Sequence, residues 1–288
     1  MSIFSGTGVA LATPASDDEI LFSEVEKLIS YVVSGGADAL IALGTTGEAS
    51  TLSDNQKESF VRFVRTKTDL PLIVGTGGNN TKAVTKNCLS AEKWGADAFL
   101  VVTPFYNKCT QEGAFAHYKY IAERVSHPII VYNVPGRTGF NLLPETMAKI
   151  AKLKNVVGIK EASGNMVQIE RCLSIVEADI YSGDDALTAP AMCMGAKGVI
   201  SVAANVAPEL VSHMTNMALS GNLLKAGAMQ LKLLPLIDAL FAEVNPIPVR
   251  AALNMLGIDM GNPRLPMTEL SESNKAMLKS IMEELKLI

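Results

Sequence analysis

Short apolar runs bounded by Gly, Pro or Asp recur along the chain, and segments with helical spacing separate them. The runs are GTGVALATP from Gly6, ADALIALGTTGE from Ala37, LPLIVGTG from Leu70 and ADAFLVVTP from Ala96. HPIIVYNVP from His127, NVVGIKEAS from Asn155, ADIYSGDD from Ala178 and GAKGVISVAAN from Gly195 continue the series. Near-continuous hydrophobic strands of about four to six residues suit a parallel sheet covered on both faces. Between them, Ser53-Asp54-Asn55-Gln56 reads as a capping box opening a helix whose apolar side carries Phe60, Phe63 and Val64. Val84, Cys88, Ala91 and Trp94 step round another helix, which Gly95 ends.

Strand and helix alternating eight times predicts a closed (β/α)₈ TIM barrel. The rival is an open doubly wound sheet, which would be expected to show a GxGxxG turn after its first strand; the chain has none. Residues 1–207 are therefore expected to form the barrel core. Residues 208–288 hold no further strand pattern and are expected to be a C-terminal helical extension packed beside the barrel, in one compact unit.

Composition narrows the function classes. Twenty-five basic against 29 acidic side chains give a net charge of −4, with no basic run, so nothing marks a nucleic-acid surface. An anionic substrate would have to be held by a few placed groups. The first Lys is Lys27, so the start of the sequence lacks the cationic region of a signal peptide, and no apolar run suggests a membrane span. Cys88, Cys109, Cys172 and Cys193 show no CxxC spacing and read as reduced thiols, while His117, His127 and His213 form no metal-ligand pattern. A cytoplasmic enzyme that needs no metal is the expectation.

Active sites of such barrels form at the C-terminal ends of the strands. Those ends carry Thr45-Thr46-Gly47-Glu48, Thr103 to Tyr106, Tyr132-Asn133 with Arg137, Lys160-Glu161, Ser182 to Asp185, and Ser201 with Asn205. Lys160 follows Val156-Val157-Gly158-Ile159, so its stem starts in an apolar wall where desolvation would draw its pKa toward neutrality, as a nucleophilic amine requires. The plainer reading is a strand-ending lysine that snorkels to water, with Glu161 as its neighbour. Tyr132 could pass protons during imine chemistry or could be an ordinary core tyrosine. Arg137 could grip a carboxylate in a bidentate pair, and the Thr45-Thr46 turn could bind a small carboxylate through hydroxyls and backbone N–H groups. Gly75 to Asn79 lacks the GKS/T of a phosphate loop and reads as a tight strand-to-helix turn.

Taken together, GTTGE at Gly44, VTPFYNK at Val102, YNVPGRTG at Tyr132, GIKEASG at Gly158, SGDD at Ser182 and NPIPVRAAL at Asn245 resemble the pyruvate-dependent class I aldolase family along essentially the whole chain. The resemblance implies an imine between Lys160 and pyruvate, whose carboxylate rests against Thr45 and Thr46. It implies a proton relay of Tyr132, Thr45 and Tyr106, the last reaching in from a neighbouring subunit, and hence a homodimer or homotetramer. Gly183 and Ile200 match positions lining the pyruvate pocket. Arg137 matches the branch whose second substrate is aspartate semialdehyde, in lysine and diaminopimelate biosynthesis. No cofactor is implied, because the protonated imine is itself the electron sink. Two rivals are an aldolase acting on a sugar acid, which would want hydroxyl-binding groups in place of Arg137, and a non-catalytic barrel that binds an oxo acid.

One part of the family pattern departs. Lysine-inhibited members typically carry Ser, two His, Glu and Tyr where this chain has Ala49, Asp54, Lys57, Ala83 and Phe105; only Asn79 agrees. A fixed cation at Lys57 would repel the ammonium of bound lysine, so weak or absent feedback by lysine is expected.

Overall fold

The computed structural model describes residues 2–16 and 19–288. The eight apolar runs become strands β1 (Gly6–Ala10), β2 (Ala39–Ala42), β3 (Leu72–Gly75), β4 (Ala98–Val102), β5 (Ile129–Asn133), β6 (Val156–Glu161), β7 (Asp179–Ser182) and β8 (Gly198–Ser201). Each pairs in parallel with the next, and β1 pairs with β8, so the sheet is a closed barrel in sequence order. The expected (β/α)₈ architecture is the one found.

The helices are α1 (Phe22–Ser34), α2 (Asp54–Lys67), α3 (Thr81–Trp94), α4 (Gln111–Ala122), α5 (Pro135–Thr138), α6 (Pro144–Ala151), α7 (Met166–Ile175) and α8 (Thr188–Cys193). They continue with α9 (Pro208–Leu219), α10 (Leu223–Leu240), α11 (Ile247–Met255) and α12 (Glu272–Glu284). The capping box of α2 is formed in both directions, Ser53 Oγ accepting from Gln56 N at 3.3 Å and Gln56 Oε1 from Ser53 N at 2.8 Å. Such a cap is worth about 1 kcal/mol and fixes where the helix begins. Gly95 ends α3 with φ +101°, a left-handed conformation that glycine adopts without strain.

Alternation along each strand sends side chains to two different cores. One set, including Val9, Leu40, Leu72, Phe99, Val131 and Ile159, packs outward under the helices. The other set fills the barrel, where Ala39, Ile41, Ile73, Leu100, Ile130, Tyr132 and Ile200 meet. Phe4 and Tyr181 stack at 4.4 Å near the start of β1, and the Tyr181 hydroxyl donates to the Phe4 carbonyl at 2.8 Å. This plug makes the barrel a filled core with chemistry open at one end only.

The chain after β8 does two things. Helix α9 lies against α1, α8 and β1, and so closes the ring of helices round the barrel. Helix α10 packs on α8, α9 and α12, while the turn between α10 and α11 crosses the mouth of the barrel, where Asn245 reaches Thr46. Among the described residues no helix is long and apolar enough to cross a membrane.

Candidate active site

At the C-terminal end of the strands lies a cavity of about 360 Å³. Thr45, Thr46, Tyr132, Arg137, Lys160 and Gly183 all line it, so six of the eight residues singled out in the sequence meet in one place. Ile200 lies just beneath, buried in the barrel core with Tyr132. Tyr106 stands apart from this cavity: its side chain is 90% exposed on the loop after β4, with φ +65°.

Lys160 sits on β6 opposite Tyr132 of β5. Its side chain is buried, with Nζ 4.4 Å from the centroid of the Tyr132 ring. Burial lowers its pKa from 10.5 to about 8; the Asp185 carboxylate opposes that shift and the Arg137 guanidinium adds to it. A cation over a phenol ring favours the ammonium by about 0.5–2 kcal/mol, which is too little to reverse desolvation of a wholly enclosed amine. Tyr132 is pushed up by its own burial, with Arg137 and a side-chain contact to Thr45 working against the rise, so the phenol remains protonated at neutral pH.

Glu161, next in sequence, takes no part in this. It points to the opposite face of β6, where Oε2 accepts from Asn133 Nδ2 at 3.0 Å and Gln168 Nε2 at 3.2 Å, and Oε1 accepts from Ser163 N at 2.8 Å. The carboxylate is therefore committed to tying β5, β6 and α7 together. Lys160, being buried, does not snorkel to water.

Two glycines allow backbone or side chain to pass. A Cβ on Gly183 would stand 2.9 Å from Lys160 Cε and 2.6 Å from Ala162 Cβ, so the lysine stem uses the space a side chain would fill. A Cβ on Gly75 would stand 2.2 Å from the Leu43 carbonyl, which is why the turn after β3 needs glycine beside the turn after β2.

Several groups that hold the site carry no assigned role in the sequence reading, although Glu48, Asp185 and Asn205 stand among its polar strand ends. Asp185 is buried and accepts hydrogen bonds from Ser201 Oγ and from Val202 N at 2.9 Å; burial pushes its pKa up, and these bonds hold it down. It joins the ends of β7 and β8. Asn205 joins the ends of β8 and β1, donating to the Ala10 carbonyl at 2.8 Å and accepting from Ala12 N at 3.0 Å. Glu48, buried with φ +52°, pairs with Arg250 at 2.7 Å, and Arg250 Nη2 donates in turn to the Met260 and Asn262 carbonyls. Leu43 has φ +56°, so the 44–47 turn is entered and left through left-handed backbone. Outside active-site loops such positions are uncommon for residues with side chains. Among the described residues no group of three or more His, Cys, Asp or Glu side chains converges as metal ligands do.

A filled (β/α)₈ barrel with an enclosed, easily deprotonated lysine at the end of its sixth strand defines the class of Schiff-base lyases. Residues 3–285 match the dihydrodipicolinate synthetase family, and the chain belongs to that family. It is 48% identical over 286 residues to 4-hydroxy-tetrahydrodipicolinate synthase of Caldicellulosiruptor bescii, covering 98% of this chain and 97% of the relative. Its fold superposes on the crystal structure of dihydrodipicolinate synthase from Thermotoga maritima with a TM-score of 0.98 at 45% identity, each chain covered in full. A monomeric variant of dihydrodipicolinate synthase matches equally well, with a TM-score of 0.98, 46% identity and 99% and 98% of the two chains covered.

Proposed function

We propose that this enzyme condenses pyruvate with L-aspartate 4-semialdehyde to 4-hydroxy-tetrahydrodipicolinate, a step of lysine and diaminopimelate biosynthesis carried out in the cytoplasm. The observation that carries the reading is Lys160, a lysine with pKa about 8 inside a cavity that also holds hydroxyls and a guanidinium. The neutral amine of Lys160 attacks the keto carbon of pyruvate, and the carbinolamine loses water to give an iminium. A methyl proton then leaves, and the enamine carbon attacks the aldehyde. The amine of the semialdehyde displaces Lys160, closing a six-membered ring and releasing the enzyme. No cofactor enters, because the iminium accepts the electron pair.

Each side chain has a place in that sequence. Thr46 and Thr45 hold the pyruvyl carboxylate, Gly183 and Ile200 shape the pyruvate pocket, and Arg137 holds the carboxylate of the semialdehyde. Tyr132 and Thr45 relay protons together with the partner subunit's Tyr106. The 90% exposure of Tyr106, which does not line its own cavity, supports a homodimer, or a tetramer built of such dimers, in which a neighbour covers the phenol. The barrel, whose ring of helices α9 completes, and the helices after it act as one unit. Feedback by lysine is weak or absent: Lys57 lines a groove of about 630 Å³ beside the barrel mouth, where its ammonium disfavours a cationic ligand.

A coupled assay tests the reading. Protein, pyruvate and aspartate semialdehyde are mixed, and product is read by a reductase that oxidises a nicotinamide cofactor. Signal that requires both substrates is the expected result. Silence from folded, oligomeric protein would overturn it in favour of a sugar-acid substrate and would remove the role given to Arg137.

A further inference from the structure

We infer that Asn245, in the turn between α10 and α11, is a positioning residue that orients both carboxylate-binding groups of the site at once. The inference rests on the roles given above to Thr46 and Arg137. Asn245 is buried and lines the same cavity as Lys160. Its Nδ2 donates to Thr46 Oγ1 at 3.0 Å, and its backbone carbonyl accepts from Arg137 Nη2 at 3.3 Å. One residue from the C-terminal extension therefore touches the group read as holding the first substrate's carboxylate and the group read as holding the second's.

The direction of the Thr46 bond matters. A hydroxyl that accepts from an amide keeps its own O–H to give, and a carboxylate needs a donor. Asn245 thus turns Thr46 toward donating into the cavity. The amide orientation follows from what each choice leaves unpaired. As placed, Asn245 Oδ1 is buried without a hydrogen-bond partner. Reversing the amide would put the Nδ2 donors in that position, and an unpaired buried N–H is the rarer and costlier orphan. Arg137 is otherwise an exposed, long side chain, and the Asn245 carbonyl fixes one arm of its fork while leaving the rest for substrate.

The test is steady-state kinetics on Asn245→Ala, Thr46→Val, Arg137→Ala and the two doubles that include Asn245→Ala. Asn245→Ala removes the amide that Thr46 meets but keeps the carbonyl that Arg137 meets, so it is expected to raise KM for pyruvate about tenfold, with smaller changes in kcat and in KM for the semialdehyde. Thr46→Val should raise mainly the pyruvate KM and Arg137→Ala mainly the semialdehyde KM. Thr46→Val should add little once the Asn245 amide is gone, because that pair acts as a unit, whereas Arg137→Ala should add in full, because its carbonyl partner is still there. Asn245→Asp, nearly isosteric, should accept the Thr46 hydroxyl proton and weaken pyruvate binding further; it carries the same readout should the alanine variant fail to fold. An unchanged pyruvate KM in folded Asn245→Ala, full additivity of Asn245→Ala with Thr46→Val, or non-additivity with Arg137→Ala would overturn the inference while leaving the assigned pocket intact. Unchanged KM values in Thr46→Val and Arg137→Ala themselves would overturn the carboxylate assignments and the inference with them.

Discussion

Lys160 and Tyr132 face each other across the β5–β6 ladder, with the amine nitrogen 4.4 Å from the centre of the phenol ring. The register follows from two apolar strands whose inward-facing positions happen to end in a lysine and a tyrosine at the same level. Adjacent parallel strands hold such a pair more rigidly than loops could.

Burial of Lys160 has a stability consequence. The unfolded chain holds this proton up to about pH 10.5, the folded chain only up to about 8, so stability rises with pH between those values. Below pH 8 the full cost is present, on the order of 3 kcal/mol. Lys160→Met should therefore be more stable than the parent enzyme at pH 7, and the advantage should vanish above pH 10.5. Urea denaturation at both pH values checks this; an equal difference at both would contradict it.

Tyr132→Phe should keep the fold and pyruvate binding but lower kcat about 10²-fold or more, the usual scale for losing a proton-transfer group. A variant with its turnover intact would remove Tyr132 from the relay.

The Eight-strand rhythm, the capping box of α2 and the Gly95 stop were legible because each is a local pattern of three to a dozen residues. The grouping of Lys160 with Tyr132, Thr45, Thr46 and Arg137 was legible too, since a barrel gathers its strand ends whatever the intervening sequence. What spacing could not show is contact between distant segments with no periodicity to join them. Asn245 meets Thr46 across 199 positions, and Arg250 meets Glu48 across 202. Both residues lie in the NPIPVRAAL stretch, whose family likeness was the one signal pointing to them. The closing of the helix ring by α9 was equally invisible, because an amphipathic helix does not reveal which surface it covers.

Gly183→Ala should fold yet form imine poorly. The added methyl would fall 2.9 Å from Lys160 Cε and 2.6 Å from Ala162 Cβ, displacing the lysine stem. Misplacement of a reacting group by about 1 Å costs up to about 10²-fold. The rate of pyruvate-dependent trapping by borohydride measures it, and a rate equal to that of the parent enzyme would show that the stem has room to spare.

Arg250→Ala should destabilise the enzyme by about 3 kcal/mol, because it takes the closest cation from the buried Glu48 carboxylate, with Arg264 still 3.7 Å away, and unties the Met260, Gly261 and Asn262 carbonyls. The loss should appear in the urea midpoint. A change below about 1 kcal/mol, the scale of an exposed ion pair, would show that the pair is no enclosed strut.

Pyruvate is expected to form an imine with Lys160, and reductive trapping reads that bond at the residue. Enzyme is reduced with borohydride in the presence of pyruvate, digested, and its peptides are weighed. A stable reduced pyruvyl adduct is expected on the peptide containing Lys160, absent without pyruvate and absent from Lys160→Met. An adduct on any other lysine, or none on folded protein, would contradict it.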